Sequence, residues 1–385
     1  MSRTTATLLL LAILIVYFAS GAAYAIATPP WQAPDEPAHY NFVKYLVTQG
    51  ALPVLVAGDY DQAYNEEFTR TPRNTQSMSI EPLRYENYAP PLYYLLAAPI
   101  YALVDGWLVA VRLFSLALGG ALIVVAYLIG AELYPDRLVI AIGAAGLTAF
   151  TPQHLAMLSA VNNDALAELL IALCVYQALR LFRADRPSRR SLLMLGLTLG
   201  LGLLTKATVY YTALPMVVVA LVLHARRYAI RSARYAWVFA PALMLGALLW
   251  LRNMSVYGGL DVLGLARHNA IVTGQPTTAD WIAQYGFAET LMRGLTTTFH
   301  SFWGQFGWMA VPMPDQVYRV LGALSLIALS GWAWRLIEGC KTRAAGCREP
   351  RRLLLALLTG LTFGGLIYYN LTFVQHQGRY LFPAL

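Results

Sequence analysis

The chain has 385 residues, of which 58% are apolar and only 12% are charged. Soluble domains have about 45–50% apolar and about 25% charged residues, so this composition excludes an ordinary soluble protein and indicates a polytopic membrane protein. The net charge of +8 does not indicate nucleic-acid binding, because basic residues cluster between apolar segments, as is typical of cytoplasmic loops. The clusters are Arg183, Arg186, Arg189 and Arg190; Arg226, Arg227, Arg231 and Arg234; and Lys341, Arg343, Arg348, Arg351 and Arg352.

Cysteine placement does not predict a disulfide or a zinc site. Cys174 lies in an apolar segment, whereas Cys340 and Cys347 lie in a basic loop. That loop is predicted to face the reducing cytosol, where disulfides are rare. The spacing of these cysteines also differs from zinc-binding patterns.

The first apolar segment, residues 6–28, is long enough to cross about 30 Å of hydrocarbon. A signal peptide is the alternative, with Arg3 as its positive region and cleavage after Ala23-Tyr24-Ala25. The apolar residues continue past that site to Ala27, which favours an uncleaved span.

A polar loop, residues 29–89, follows and carries eight acidic but only four basic residues, which predicts an outer location. Near its start, Asp35, Glu36 and His39 lie within one stretch of five residues, and Pro34 and Pro37 restrict the backbone around the acidic pair. This pattern fits either a solvated flank of the span or a site that presents a carboxylate to a lipid-borne substrate. Residues 36–49 are predicted to form an amphipathic helix with Phe42, Tyr45 and Leu46 on one face.

The remaining apolar segments predict nine spans with a cytoplasmic N-terminus. Residues 90–105 are interpreted as an interfacial or re-entrant helix, because a full span there would move a basic cluster outside. The two large outer loops are then 29–106 and 253–315, within a single transmembrane domain, 1–385. The end of the chain, from Leu381, reads as the start of another span, which is consistent with missing C-terminal helices. After 6–28, the spans are 107–133, 138–158, 164–183, 192–205, 207–224, 236–252, 316–337 and 352–375.

This topology brings several polar side chains to the outer face. Lys206 follows the apolar segment 192–205, which would be about 21 Å long as a helix. This length is shorter than the bilayer core, so Lys206 is expected to lie below the outer interface. An ionisable residue at that depth indicates a functional site. Snorkelling is the alternative for Lys206, helix capping for Asp164, and headgroup contact for Arg112 and Arg379. The aromatic segment 301–309 predicts either an interface belt or a floor beneath a sugar or isoprenoid.

The ordered set of motifs resembles the GT-C membrane glycosyltransferases of family 39, which include protein O-mannosyltransferases and lipid A aminoarabinose transferases. The resemblance covers most of the chain. One departure concerns a histidine that relatives often carry before the Pro-Pro pair, where this chain has Tyr88-Ala89. The motifs are Pro34-Asp35-Glu36 with His39-Tyr40, Ala89-Pro90-Pro91-Leu92-Tyr93-Tyr94, Val111-Arg112-Leu113-Phe114-Ser115, Asn163-Asp164, Gly200-Leu201-Gly202-Leu203-Leu204-Thr205-Lys206 and Gln377-Gly378-Arg379-Tyr380-Leu381-Phe382-Pro383.

The resemblance implies a GT-C-like helical bundle in the cell membrane, with its active site on the extracytoplasmic side. It implies inverting transfer of a sugar from a polyprenyl-phosphate carrier to a hydroxyl of a lipid, glycan or protein acceptor. Asp35 is the expected general base, with Glu36 as a second catalytic residue. Glu36 and His39 are also candidate ligands for a divalent cation, which the Tyr88-Ala89 departure places in doubt. The expected substrate- and phosphate-binding residues are His39, Arg112, Asp164, Lys206 and Arg379.

Three alternatives stay open at this point: a transporter or flippase, a lipid-linked oligosaccharide ligase, and a non-catalytic scaffold. A transporter or flippase places polar residues near the bilayer midplane, often in repeated halves, whereas here the polar residues gather near one face and no repeat is visible. A lipid-linked oligosaccharide ligase would use the same outer face with a diphosphate donor. Membrane lipids are expected partners in every case.

Overall fold

The computed structural model describes residues 1–71, 73–229, 232–341 and 349–385, and confirms an all-α polytopic architecture. The first half contains α1 (Arg3–Ala27), α2 (Glu36–Gln49), α3 (Gln62–Arg70), α4 (Asn74–Ser77), α5 (Leu92–Leu103), α6 (Leu108–Leu133), α7 (Leu138–Phe150), α8 (Pro152–Leu158) and α9 (Asp164–Leu181). The second half contains α10 (Arg189–Leu203), α11 (Thr208–Tyr211), α12 (Ala213–Tyr228), α13 (Ala236–Tyr257), α14 (Leu265–Ile271), α15 (Thr278–Tyr285), α16 (Phe287–Trp303), α17 (Asp315–Lys341) and α18 (Pro350–Asn370).

Two short strands and two 3-10 helices complete the described elements. Strands β1 (Gln305–Phe306) and β2 (Val311–Pro312) pair antiparallel. One 3-10 helix, Ser232–Tyr235, precedes α13, and the other, Gly378–Ala384, ends the chain.

A helix occupies each of the nine predicted spans, but not all of these helices are span-like. Among the described residues, six helices are long and apolar enough to cross a membrane, and a bent pair makes up to seven. The two exceptions are α9, which carries Asp164, Glu168 and Arg180, and α10, which has only 15 residues. Both are enclosed by other helices, so packing rather than length and apolarity places them in the bundle.

The third predicted span, 138–158, is not one straight helix. It breaks into α7 and α8, which are bent by 65°. The break falls at Thr151, whose backbone is extended (ψ 114°) and which precedes Pro152. A residue before proline avoids the helical conformation, and proline has no N–H to continue the helix. The third predicted span is therefore a bent pair of helices rather than one straight helix.

Small residues allow α10 to pack closely against α13. A Cβ atom at Gly196 would lie 2.2 Å from the Val238 carbonyl oxygen, and one at Gly200 would lie 3.1 Å from the Ala242 Cα. Close backbone approach at small residues is a common way to pack membrane helices, because lipid supplies no hydrophobic force between them. Buried side chains of α9, α10, α12, α13 and α18 form the largest apolar cluster around this contact.

The basic clusters lie at one end of the bundle. The loop between α1 and α2, residues 28–35, which we call the Asp35 loop, lies at the other. Glu132 pairs with Arg183 of the first cluster and lies 3.8 Å from Arg351 of the third. Arg234 of the second cluster donates to the Pro187 carbonyl, beside the first. Arg112, at the other end of α6, binds the Asp35 loop about 30 Å away along the helix. We call these the basic end and the site end.

The first loop is folded onto the bundle through α2 and α5. The buried face of α2 carries Ala38, His39, Phe42 and Val43, and the Phe42 ring stacks on Tyr94 of α5 at 3.8 Å. The predicted helix at 36–49 is confirmed, but Tyr45 is 38% exposed and does not share the buried face with Phe42. Helix α5 has only 12 residues, in agreement with a short element rather than a span.

Cys174 is buried and free within α9. Arg231, Arg343, Cys347 and Arg348 lie outside the described residues, as do the side chains of Cys340 and Lys341. The predictions about these side chains therefore remain predictions.

Candidate functional site

The loop between α1 and α2 directs two adjacent carboxylates to different partners. Asp35 adopts the left-handed backbone conformation (φ 64°) immediately before α2 begins at Glu36. Aspartate tolerates this conformation better than most residues with a Cβ, and such strain is often found at functional sites. As a result Asp35 binds Arg379, whereas Glu36 binds Arg112.

Asp35 joins the two ends of the chain. Its Oδ2 accepts a hydrogen bond from Arg379, which lies in the C-terminal 3-10 helix, and its Oδ1 accepts from the Tyr85 hydroxyl at 2.9 Å. Arg379 is only 8% exposed, and its buried Nε has no hydrogen-bond partner among the described residues. Burial raises the pKa of Asp35, but the charge of Arg379 and the hydrogen bonds from Arg379 and Tyr85 outweigh burial and leave this pKa below its ordinary value. This carboxylate is therefore ionised and fixed.

A second network lies beside Asp35 and connects three separate segments. Lys206 Nζ donates to Asp164 and, at 2.9 Å, to Asn163 Oδ1. Asn163 Nδ2 in turn donates to the Tyr94 hydroxyl at 3.3 Å, and that hydroxyl lies 2.8 Å from His39 Nδ1. The side chains of Lys206 and Asp164 are 24% and 23% exposed, so the pair is still accessible to a ligand.

These two networks form one electrostatic cluster with a further residue, Glu86. We call Asp35, His39, Glu86, Asp164, Lys206 and Arg379 the Asp35 cluster. Burial, followed by the charge of Lys206, lowers the pKa of His39 to about 3, so this imidazole is neutral. Burial, followed by the charge of Asp35, raises the pKa of Glu86 to about 7. Lys206 and Arg379 act on Glu86 in the opposite direction.

Glu86 was missed by the sequence analysis. It is half-buried, and its side chain has no hydrogen bond or ion pair among the described residues. In the sequence it is one of eight acids in a polar loop, and its only signal is a position four residues before Pro90. Its neighbour Tyr85 binds Asp35, and this contact, which the sequence does not show, brings Glu86 to the cluster.

Glu36 and Arg112 form a separate, fully buried ion pair. Arg112 Nε and Nη2 donate to the two carboxylate oxygens of Glu36 at 2.7 and 2.6 Å. The same guanidinium donates to the carbonyls of Ala25, Thr28 and Pro29, and Glu36 accepts from the backbone N–H groups of Trp31 and Val161. The structure therefore brings five of the predicted site residues together but gives Glu36 and Arg112 a pairing of their own.

The predicted cation ligands Glu36 and His39 do not converge. The oxygens of Glu36 are occupied by Arg112 and backbone N–H groups, while His39 Nδ1 contacts Tyr94. In the part of the chain that the structure describes, no three His, Cys, Asp or Glu side chains are grouped as metal ligands. The residues present do not fit a divalent cation held by Glu36 and His39.

A second buried pair, also missed by the sequence analysis, lies one helical turn from Asp164. His154 of α8 contacts Glu168 of α9 through Nε2 at 2.7 Å and the Thr148 carbonyl through Nδ1 at 2.7 Å. The His154 ring also packs on Phe382 at 4.7 Å. His154 is therefore the point at which the bent pair α7–α8 meets α9 and the C-terminal 3-10 helix that carries Arg379, which we call the Arg379 segment.

The aromatic segment 301–309 packs against the Asp35 loop. Trp308 Nε1 donates to the Trp31 carbonyl at 2.8 Å, and Phe306 lies 6.1 Å from Tyr24 between ring centroids. These contacts pack the aromatic segment against the Asp35 loop and the end of α1. They connect the second predicted outer loop with the first.

Gly378 allows Arg379 to reach Asp35. A Cβ atom at this position would lie 2.2 Å from Phe302 N and 2.4 Å from the Thr298 carbonyl oxygen, both backbone atoms of α16. We expect Gly378→Ala to displace the Arg379 segment and to destabilise the protein by about 1–3 kcal/mol, because overpacking against backbone is not relieved by side-chain rotation. Thermal unfolding of the detergent-purified protein measures this, with Gly360→Ala as a control because a Cβ there meets no atom within 4 Å. Equal stability of the two variants would contradict the expectation.

The comparisons with known proteins identify a family. Residues 57–385 match the family described as predicted membrane protein, DUF2142, which is more than half of the chain. No curated protein matches the sequence. The matched region contains Glu86, Asp164, Lys206 and Arg379, whereas Asp35 and His39 precede it. The chain therefore belongs to the DUF2142 family of predicted membrane proteins.

Proposed function

We propose that this protein is an integral membrane glycosyltransferase that moves a sugar from a polyprenyl-phosphate carrier to an acceptor hydroxyl. The observation that carries the proposal is the Asp35 cluster, in which carboxylates and cations from distant segments meet at the site end. The resemblance to the GT-C glycosyltransferases rests on these same segments. The polarity of the bundle, with basic clusters at the opposite end, supports a site on the extracytoplasmic side of the cell membrane.

Arg379 and Lys206 are the proposed phosphate-binding groups. When the sugar leaves, negative charge develops on the phosphate and must be met by fixed positive charge. Arg379 has a buried Nε that no other described residue contacts through a hydrogen bond, and Lys206 is partly exposed. Charge-assisted hydrogen bonds from such groups are stronger than neutral ones. Asp35 and Asp164 hold the two cations in place.

A carboxylate accepts the proton of the acceptor hydroxyl. In this step the hydroxyl oxygen bonds to the anomeric carbon, the bond from that carbon to the phosphate oxygen breaks, and polyprenyl phosphate leaves as an anion. Asp35 was the sequence-based candidate for this base, and that assignment remains a proposal. Glu86 is a second candidate for the base, because its side chain has no partner among the described residues and its pKa, raised to about 7, is closer to neutrality.

The test is a transfer assay with the full-length protein reconstituted in membranes. A panel of radiolabelled polyprenyl-phosphate sugars, together with polyprenyl-diphosphate glycans, is followed for binding and for loss of the sugar. We expect saturable binding of one monophosphate carrier by wild type, Asp35→Asn and Glu86→Gln, with turnover strongly reduced in both variants. Turnover of diphosphate donors alone would favour a ligase, and no binding to any carrier would reject glycosyl transfer.

A transporter or flippase is the second candidate, and the break between α7 and α8 favours it. Transporters place their binding sites at discontinuous helices, and here the buried His154–Glu168 pair lies next to a 65° bend. The two candidates differ in their product. A flippase moves a fluorescent carrier-linked sugar between leaflets of a proteoliposome without cleaving it, whereas the proposed enzyme releases the sugar from the carrier.

A further inference from the structure

Helix α16 carries its large apolar side chains on the outside of the protein. Phe287, Leu291, Met292 and Leu295 are 68%, 50%, 61% and 59% exposed. Their spacing (i, i+4, i+5, i+8) places them on one face of the helix. We call this face the apolar arc.

The other faces of α16 are polar or made of small residues. Thr290, Gly294 and Ser301 are buried against the rest of the protein. Glu289 and Arg293 form an exposed ion pair at 2.8 Å, on a face next to the apolar arc. The helix is therefore amphipathic, but it buries its small and polar face in the protein and exposes its apolar one.

Helix α16 is connected to the membrane-spanning helices and packs against them. Only residues 304–314 separate α16 from α17, whose segment Asp315–Trp334 is long and apolar enough to cross a membrane. A Cβ atom at Gly322 of α17 would lie 3.8 Å from Phe299 of α16, so the two helices are in contact. Helix α16 also packs against α8, part of the bent span. The apolar arc therefore continues the exposed apolar surface of α17.

We infer that α16 lies in the interface of the lipid bilayer at the site end, with the apolar arc inserted among the acyl chains. Helices of this kind bury an apolar face about 5–10 Å into the boundary between headgroups and chains. Tyr285, which is 36% exposed, lies beneath the Arg293 guanidinium at 4.2 Å, in keeping with the aromatic and basic residues of membrane interfaces.

The inner face of α16 makes this placement relevant to the Asp35 cluster. Gly378 N donates to Ser301 Oγ at 2.8 Å, and the next residue is Arg379. A Cβ atom at Gly294 would lie 3.0 Å from His376 Nε2. Helix α16 thus connects the bilayer surface with the segment that holds Arg379.

The test measures lipid exposure position by position and does not depend on the proposed function. The full chain, with Cys340→Ser and Cys347→Ser, is placed in phosphatidylcholine nanodiscs; Cys174 is retained because it is 1% exposed. An environment-sensitive thiol fluorophore is attached at Met292→Cys or Leu295→Cys on the apolar arc, and at Glu289→Cys or Arg293→Cys as matched polar controls. All four positions are exposed, and monodisperse elution of each variant checks the fold.

Spin-labelled lipid should quench the two apolar positions several-fold more than the polar controls, and aqueous iodide should show the reverse order. Strong iodide quenching at Met292→Cys and Leu295→Cys would overturn the inference. Efficient cross-linking of Leu295→Cys between two copies of the chain in nanodiscs would also overturn it, because a protein surface would then cover the apolar arc.

Discussion

Arg112→Ala should prevent stable folding. The variant leaves the Glu36 carboxylate buried at 0% exposure without its cation, and it removes the donors that satisfy the carbonyls of Ala25 and Thr28. Removing one partner of a buried ion pair typically costs about 3–5 kcal/mol, which is a large fraction of the stability of most domains. The measurement is the yield of monodisperse protein after detergent extraction, together with its thermal unfolding temperature.

Arg70→Ala is the matched control for this variant. Arg70 also pairs with a glutamate, Glu67, but the two side chains are 69% and 46% exposed. Exposed pairs contribute about 0–1 kcal/mol, so the control should unfold close to the wild-type temperature. If Arg112→Ala lowered the unfolding temperature no more than Arg70→Ala does, the buried pair would not stabilise the fold. Arg112 would then again be a candidate for phosphate binding.

A double-mutant cycle separates the pair from its surroundings. Glu36→Gln, Arg112→Gln and the combined variant together give the coupling free energy between the two charges. We expect the double variant to be less destabilised than the sum of the single ones, because neither charge is then buried alone. If the losses of stability in the two single variants simply added up in the double variant, the contribution of Arg112 to stability would come from its contacts with backbone carbonyls rather than from its pairing with Glu36.

Transfer activity should decrease as pH falls below about 7, because the proposed base acts only in its ionised form. Burial and Asp35 raise the pKa of Glu86 to about 7, so this carboxyl is protonated, and inactive as a base, on the acidic side of that value. Glu86→Gln should lower kcat by about 10²–10⁴-fold, equivalent to about 3–5 kcal/mol. The same variant should also lose the pH dependence between neutral and mildly acidic conditions.

If Asp35 is the base, we expect a different pH dependence of transfer activity. Its pKa lies below the ordinary value, so activity would persist well below neutral pH. Asp35→Asn also releases Arg379 and is expected to reduce activity in either case, which is why the wild-type profile decides between the two carboxylates. Glu81→Gln is a matched control, since Glu81 is an exposed acid of the same loop that pairs with Lys44. Unchanged activity of Glu86→Gln would remove Glu86 from the mechanism.

The residues that the sequence brought forward divide into two groups in the structure. Asp35, His39, Asp164, Lys206 and Arg379 meet in one cluster. Glu36 and Arg112 were predicted on the same grounds but bind each other. The sequence places adjacent acids in one loop, but it does not show that the left-handed backbone at Asp35 turns the two carboxylates toward different partners.

A helical membrane protein with basic loops at one end could be predicted without the structure. That result follows from composition and from the length of apolar segments, which are set by the thickness of the bilayer. Helices that are short or carry charges, such as α9 and α10, were found because the alternation of basic loops required them. Their position inside the bundle depends on close packing at residues such as Gly196 and Gly200.

Which polar groups act together depends on how the helices pack. Glu86 came to the cluster through the bond of its neighbour Tyr85 to Asp35, and His154 met Glu168 because Pro152 bends the third span. Long-range pairs such as Asp35 with Arg379 are separated by most of the chain, so no local pattern encodes them. Their partners are set by how the helices pack, and the pKa values of the cluster depend on that burial and on those neighbours.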